Sequence, residues 1–107
     1  MRFVSIFHSA QTNSGPPSQE HMQAMGALIE SYMKSGALVV TEPLAAPEAG
    51  ARIERSNGQF TVGALADRPG GYAILQADTR EACIELCRVF LDVAGDGVCE
   101  IRQIVEM

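Results

Sequence analysis

The stretch from Gly70 to Val105 decides the fold, and it reads as three pieces: GGYAILQA (70–77), DTREACIELCRVFL (78–91) and GVCEIRQIV (97–105). The first and last are apolar runs that begin with glycine, which is typical of strands. The middle piece has apolar residues at helical spacing and opens with Asp78-Thr-Arg-Glu81, a capping box with Asp78 as the cap. The stretch therefore predicts strand, helix, strand, with these helix residues facing inward: Ala82, Cys83, Leu86, Cys87 and Phe90.

The first half of the chain repeats this plan. Residues 2–8 form an apolar run typical of a strand, and a polar loop with two prolines follows it. A helix is predicted from an N-cap at Ser18 to a C-cap at Gly36, and residues 37–41 predict the next strand. Six residues of this helix form one apolar stripe that we expect to pack in the core: Met22, Met25, Leu28, Ile29, Tyr32 and Met33.

A β-hairpin is predicted between the two halves. Residues 52–56 and 59–62 flank Asn57-Gly58, and Asn-Gly between two strand-like runs favours a type I′ turn because both residues tolerate positive φ. In that register Ile53 lies opposite Val62, and Arg55 lies opposite Phe60. The hairpin then has one apolar face and one solvated face.

This element order predicts an α+β, ferredoxin-like split βαβ sandwich. The four long strands would form an antiparallel sheet in the order 4-1-3-2, with both helices on one face and the hairpin inserted. Because the strands are apolar on both sides, the other face needs a cover. We therefore expect a homodimer joined through the sheet faces, a dimeric α+β barrel with two-fold symmetry.

Length and composition bound the function. The 107 residues predict one domain (1–107), and a net charge of −5 with a single lysine disfavours nucleic-acid and anionic membrane partners. No apolar run is long enough for a bilayer span or a signal peptide. The sequence has three cysteines and no zinc spacing, phosphate loop or nucleophile elbow, so we expect buried thiols in a cytoplasmic protein without metal or cofactor.

The chain resembles YCII-related proteins, in the branch called DGPF-domain proteins. The resemblance rests on SQEHMQAMG (18–26), GALVV (36–40), EPLAAP (42–47), the Asn57-Gly58 hairpin and GGYAI (70–74). The family's Asp-Gly-Pro-Phe motif falls at residues 62–65, where only Gly63 is kept. The resemblance implies a ferredoxin-like dimer. It also implies a His–Asp pair as the active site, as proposed for the family, of which a few members act on lactone-like ring-cleavage products.

The predicted sheet brings several polar residues to one end. The end of the first strand, with His8, lies beside the start of the third, with Tyr72. Glu42 ends the parallel second strand there, and the loop with Asp67 enters at the same place. A histidine beside a carboxylate is a workable acid–base pair, so His8 and Asp67 are the catalytic candidates and Glu42 and Tyr72 the ligand-binding ones. Each of the four also has an ordinary reading as a solvated or strand-end residue.

His21 is a further ligand-binding candidate, in the first turn of the first helix. Two function classes remain open at this point. One is a small-molecule-binding dimer without catalysis. The other is a cofactor-independent acid–base enzyme acting on a small organic acid or lactone, with His8 and either Asp67 or Glu42 moving the proton. The loss of the Asp-Gly-Pro-Phe motif favours the first.

Overall fold

Two strand–helix–strand halves build one sheet in the computed structural model, which describes residues 1–10, 18–65 and 69–106. The sheet is four-stranded and antiparallel with the order β2-β5-β1-β6, and β3 and β4 form a separate two-stranded sheet. Counted among the four long strands, the order reads 4-1-3-2 from the β6 edge. The elements are β1 (Arg2–Ser9), α1 (Gln19–Ser35), β2 (Leu38–Pro43), a 3₁₀ turn (Pro47–Ala49), β3 (Arg52–Ser56), β4 (Gln59–Gly63), β5 (Pro69–Gln76), α2 (Arg80–Ala94) and β6 (Gly97–Gln103).

The predicted ends of α1 are confirmed. The backbone N–H of His21 donates to the Ser18 hydroxyl at 3.1 Å, which satisfies one of the free donors of the first turn. Gly36 ends the helix with φ 83°, in the left-handed region that favours glycine. These caps fix where the chain enters and leaves the helix.

The predicted cap of α2 is wrong by one residue. The cap is Thr79, whose hydroxyl accepts from the N–H of Ala82 at 3.0 Å, and Asp78 precedes it. Glu81 then falls at the second helical position, too early for a capping box. A hydrogen bond from its own backbone N–H and one from Arg80 lower the pKa of Glu81. Ala82 is exposed in this first turn, contrary to its predicted inward position.

The core lies between the sheet and both helices. Its buried residues are Phe3, Leu38, Leu75, Cys83 and Cys87. Residues of both helices, Tyr32 of α1 and Leu86 of α2 among them, pack against this one cluster, so the helices share a face of the sheet. The prediction that the two helical cysteines are buried is confirmed.

Helix α1 is packed more loosely than its sequence predicts, because none of its residues is buried. Met25, Leu28, Ile29 and Tyr32 are partly buried, whereas Met22 and Met33 are exposed. At about 100° per residue, Met22 and Met33 lie about 70° and about 90° from the centre of the four partly buried residues. The stripe of six therefore narrows to four.

The hairpin forms as predicted, with Asn57 and Gly58 at φ 52° and 79° and with Ile53 opposite Val62. Its apolar face is uncovered, however. Ile53, Phe60 and Val62 are 69–71% exposed. The register agrees with the predicted apolar face, and this face is exposed to solvent within the single chain.

The side of the sheet away from the helices is also uncovered, and we call it the open face. Alternate residues of the strands point to it, since side chains in a strand alternate between the two faces. Among them Ile6 and Val98 are 38% and 55% exposed. The cross-strand register groups the following apolar residues there: Val4, Ile6, Val40, Ile74 and Val98.

Candidate functional site

A cavity of about 1050 Å³ lies between the two helices and the sheet. Helix α1 lines it with the four partly buried residues of its stripe. Leu86, Cys87 and Phe90 of α2 form a second wall. Ser5 and Ala73 of the sheet form the floor. The cavity exists because α1 packs less closely against the core than α2 does.

The wall is mostly apolar, and several of its polar groups already have partners. The Thr41 hydroxyl donates to the carbonyl of Tyr72 at 3.0 Å, and the Tyr32 hydroxyl donates to the carbonyl of Leu86 at 2.9 Å. Among the described residues of the wall, His21 is the only one that can carry a positive charge. The cavity thus offers a large apolar volume with one basic side chain.

Two of the predicted site residues, Glu42 and Tyr72, contact each other at one end of the sheet. Glu42 pairs with Tyr72 across β2 and β5, and the Tyr72 hydroxyl donates to Oε1 of Glu42 at 3.2 Å. That hydrogen bond, followed by desolvation and the charge of Glu42, raises the pKa of Tyr72. His8 lies on the open face at the same end of the sheet. Glu42 and Tyr72 are also among the residues that line the cavity.

The carboxylate partner of His8 is Glu100, a residue that the sequence analysis missed. Nε2 of His8 lies 2.9 Å from Oε1 of Glu100. Glu42, the other expected carboxylate, accepts from Tyr72, and β5 lies between its strand and that of His8. Asp67 lies outside the described residues. The signal for Glu100 was the register of β1 and β6. This register places Glu100 opposite Ile6, which is the neighbour of His8 on the same face of β1.

The sheet separates these candidates into two groups. His21, Glu42 and Tyr72 are among the residues that line the cavity, whereas His8 lies on the open face and is not among the described residues of the cavity wall. One cleft therefore does not hold all the described candidates. Each group has its own chemistry: apolar volume beside His21, and a histidine–carboxylate pair on the open face.

A cluster of three thiols adjoins the cavity. Cys87 lines the cavity, Cys83 is fully buried one turn before it, and Cys99 comes from β6. The Ser5 hydroxyl lies 3.9 Å from the Cys87 sulfur. The sequence analysis placed the helical thiols in the core but missed that one of them reaches the cavity. The available signal was Ser5, a serine that faces inward in an otherwise apolar strand.

Two kinds of feature are not found in the described part of the chain. Residues 1–10, 18–65 and 69–106 hold no group of three or more His, Cys, Asp or Glu side chains placed to bind a metal ion. Neither of their two helices combines the length and hydropathy that crossing a bilayer requires.

In comparisons with known proteins, no protein-family model matches this chain and no curated protein matches its sequence. The functional argument therefore depends on the geometry above.

Proposed function

We propose that this protein binds a small organic acid with an apolar body in the cavity between its helices and its sheet. The observation that carries the proposal is the cavity itself, about 1050 Å³ with a mostly apolar wall. Ligand sites in proteins are typically concave, about 300–1,000 Å³ in volume, and apolar with a few polar groups. The cavity is at the upper end of this range, so it can enclose a whole small molecule.

The acid group follows from His21. It is the one potential cation among the described residues of the wall, because an imidazole can carry a positive charge. A ligand carboxylate beside His21 would gain a charge-assisted hydrogen bond. The apolar part of the ligand would be buried against the apolar wall. A neutral ligand of the same shape would gain only the burial of its apolar part.

Binding of three matched compounds tests this proposal. We expect 3-phenylpropanoate to bind more tightly than 3-phenylpropanol, and 3-phenylpropylamine least, by isothermal calorimetry and saturation-transfer NMR. Ala73→Leu fills the cavity floor and should weaken binding of the acid at least tenfold. Ala24→Leu makes the same change on the exposed side of α1 and should leave binding unchanged.

The variant His21→Gln separates charge from shape. It should reduce the affinity for the acid to that for the alcohol and leave the alcohol unchanged. The proposal fails if none of the compounds binds, or if Ala73→Leu and Ala24→Leu bind the acid equally well.

We propose further that the chain is a YCII-related, ferredoxin-like protein that functions as a homodimer, a dimeric α+β barrel. The strand order β2-β5-β1-β6 and the uncovered open face support this. Four strands about 4.8 Å apart, each about 7 residues long at about 3.3 Å per residue, cover about 450 Å². A stable interface buries about 800 Å² per partner, so the apolar face of the hairpin is expected to contribute as well.

Sedimentation velocity tests the dimer. We expect a mass of twice the 11.5 kDa chain. A charge at Val98 on the open face or at Val62 on the hairpin (Val98→Glu, Val62→Glu) should yield monomers. Val89→Glu, on the exposed side of α2, should remain dimeric. The proposed interface would be refuted if the parent protein is a monomer, or if all three variants have the same oligomeric state.

An acid–base enzyme is the second candidate, and the 2.9 Å contact between His8 and Glu100 is the observation that favours it. A carboxylate that orients an imidazole helps it to exchange a proton with a bound lactone or acid. Hydrolysis or isomerisation of a lactone panel should then be detectable, and His8→Gln should abolish it. Glu100→Gln should lower it, with Glu85→Gln on α2 as the control. An inactive parent protein rules this candidate out.

A further inference from the structure

The described part of the cavity wall includes one thiol, that of Cys87. Cys87 projects from α2, is 8% exposed, and lines the cavity. The other two thiols of the cluster do not border the cavity among the described residues that form its wall. A reagent that enters the cavity therefore meets Cys87 before the other two thiols.

The surroundings of Cys87 stabilise its thiolate. Hydrogen bonds from Cys99, Ser5 and Cys83 outweigh desolvation and lower the pKa of Cys87 to about 6, with Cys99 as the largest cause. The same hydrogen bond to Cys87 is the main cause that raises the pKa of Cys99. Burial raises the pKa of Cys83 to about 11. The cluster thus concentrates thiolate character on the one sulfur that faces the cavity, and the thiolate is the reactive form.

We propose that Cys87 is a covalent attachment site for small, apolar α,β-unsaturated carbonyl compounds that enter the cavity. This inference rests on the proposed binding function, because the reagent must occupy the same volume. The apolar wall would select for the hydrocarbon part of the compound. The sulfur at the wall would then lie beside the bound double bond.

The reaction is an addition that needs no further reactant. The thiolate of Cys87 forms a carbon–sulfur bond to the β-carbon, and the carbon–carbon π bond breaks. Its electron pair moves onto the carbonyl oxygen as an enolate. The α-carbon takes up one proton, which replaces the one that the thiol released, so the product is a thioether and nothing is oxidised or reduced.

Two maleimides of equal intrinsic reactivity but different size test access. Under reducing conditions without added thiol, N-ethylmaleimide should add once to the folded protein, and tandem mass spectrometry of the peptide 81–88 should locate it on Cys87 rather than Cys83. A 5-kDa polyethylene-glycol maleimide should react at least tenfold more slowly. In denaturing urea both reagents should modify all three cysteines. Equal rates in the folded protein, or first reaction at Cys83 or Cys99, would overturn the proposal.

A pH profile tests the role of the cluster. The rate of 2-cyclohexen-1-one addition to Cys87 should rise with a midpoint near pH 6, well below that of a free thiol at about 8.5. Cys99→Ala removes the strongest hydrogen bond and should move the midpoint upward, so that the rate at pH 7 falls at least threefold. Cys83→Ala should change it less. A profile that Cys99→Ala leaves unmoved contradicts the assigned role of the cluster.

The outcomes distinguish this inference from the proposed function. Failure of covalent addition together with tight binding of 3-phenylpropanoate would reject Cys87 and keep the ligand site. Ala73→Leu should slow the addition of cyclohexenone, and Ala24→Leu should not. Cys87→Ala should not react with cyclohexenone. If this variant does not fold, the peptide map of the unaltered chain still shows which cysteine is modified.

Discussion

The two helices of this protein have similar ends but different relations to the sheet. Both begin at a hydroxyl cap, Ser18 or Thr79, and both end at a glycine with positive φ. Helix α2 buries Cys83 completely and Cys87 almost completely, whereas α1 buries no residue. Similar local signals therefore produced one helix that completes the core and one that stands off from it.

The difference between the helices is the origin of the cavity. Where α2 packs on β6 and β1, the side chains close the space. Under α1 about 1050 Å³ stays open, and the apolar stripe of α1 forms a wall instead of a core. A protein interior normally packs without large voids, so a space of this size is typical of a place for a ligand.

The largest expected effect comes from one substitution made on both sides of the cavity. Leu75 is buried in the core, so Leu75→Ala should lower the free energy of unfolding by about 3 kcal/mol through lost burial and a new void. Leu28 of α1 is only partly buried, so Leu28→Ala should lower the free energy of unfolding by about 1 kcal/mol or less. Urea unfolding measures both. Equal losses would mean that α1 is packed as tightly as the rest of the core.

A smaller effect is expected where the helices are joined. The Tyr32 hydroxyl donates to the carbonyl of Leu86 at 2.9 Å and links α1 to α2. Tyr32→Phe keeps the ring and should lower the free energy of unfolding by about 1 kcal/mol near neutral pH. Hydrogen exchange of α1 amides should rise more than that of α2 amides. Tyr72→Phe, which removes an exposed hydroxyl bonded to Glu42, is the control and should change little.

The parent protein and Tyr32→Phe should also differ in how their free energy of unfolding depends on pH. Burial, then the nearby Cys87 and Glu85, raise the pKa of Tyr32 above its ordinary value of 10.0. The folded state therefore holds this proton more tightly than the unfolded state, and the stabilisation is complete below pH 10 and lost as the pH rises through the raised value. Above pH 10 the advantage of the parent protein over Tyr32→Phe should shrink. An advantage that grows with pH would contradict this assignment.

Local chemistry explains why much of the fold was predictable. The hairpin depends on Asn57-Gly58, and the ends of α1 depend on Ser18 and Gly36, so neighbouring residues determine each of them. The cap of α2 was misplaced because Asp78 and Thr79 are adjacent and either can cap a helix. Met22 and Met33 were assigned to the core because helical spacing indicates a direction but not how closely a helix approaches the sheet.

The site was less predictable because it depends on tertiary placement. The spacing of Cys83 and Cys87 indicated an inward face, but only the distance of α1 from the sheet makes Cys87 reachable. Glu100 became the partner of His8 through the register of two strands far apart in the chain. Nothing in the sequence separated His8, on the open face, from His21, Glu42 and Tyr72, which line the cavity.

Methyl NMR of the methionines tests the central claim, that the space under α1 receives a ligand, most directly. Met25 lines the cavity, and Met22 and Met33 are exposed on the same helix. When 3-phenylpropanoate is titrated into protein labelled with ¹³C at the methionine methyls, the Met25 resonance should shift with a saturating curve. The Met22 and Met33 resonances should stay nearly fixed. Equal shifts at all three, or none at Met25, would contradict the account.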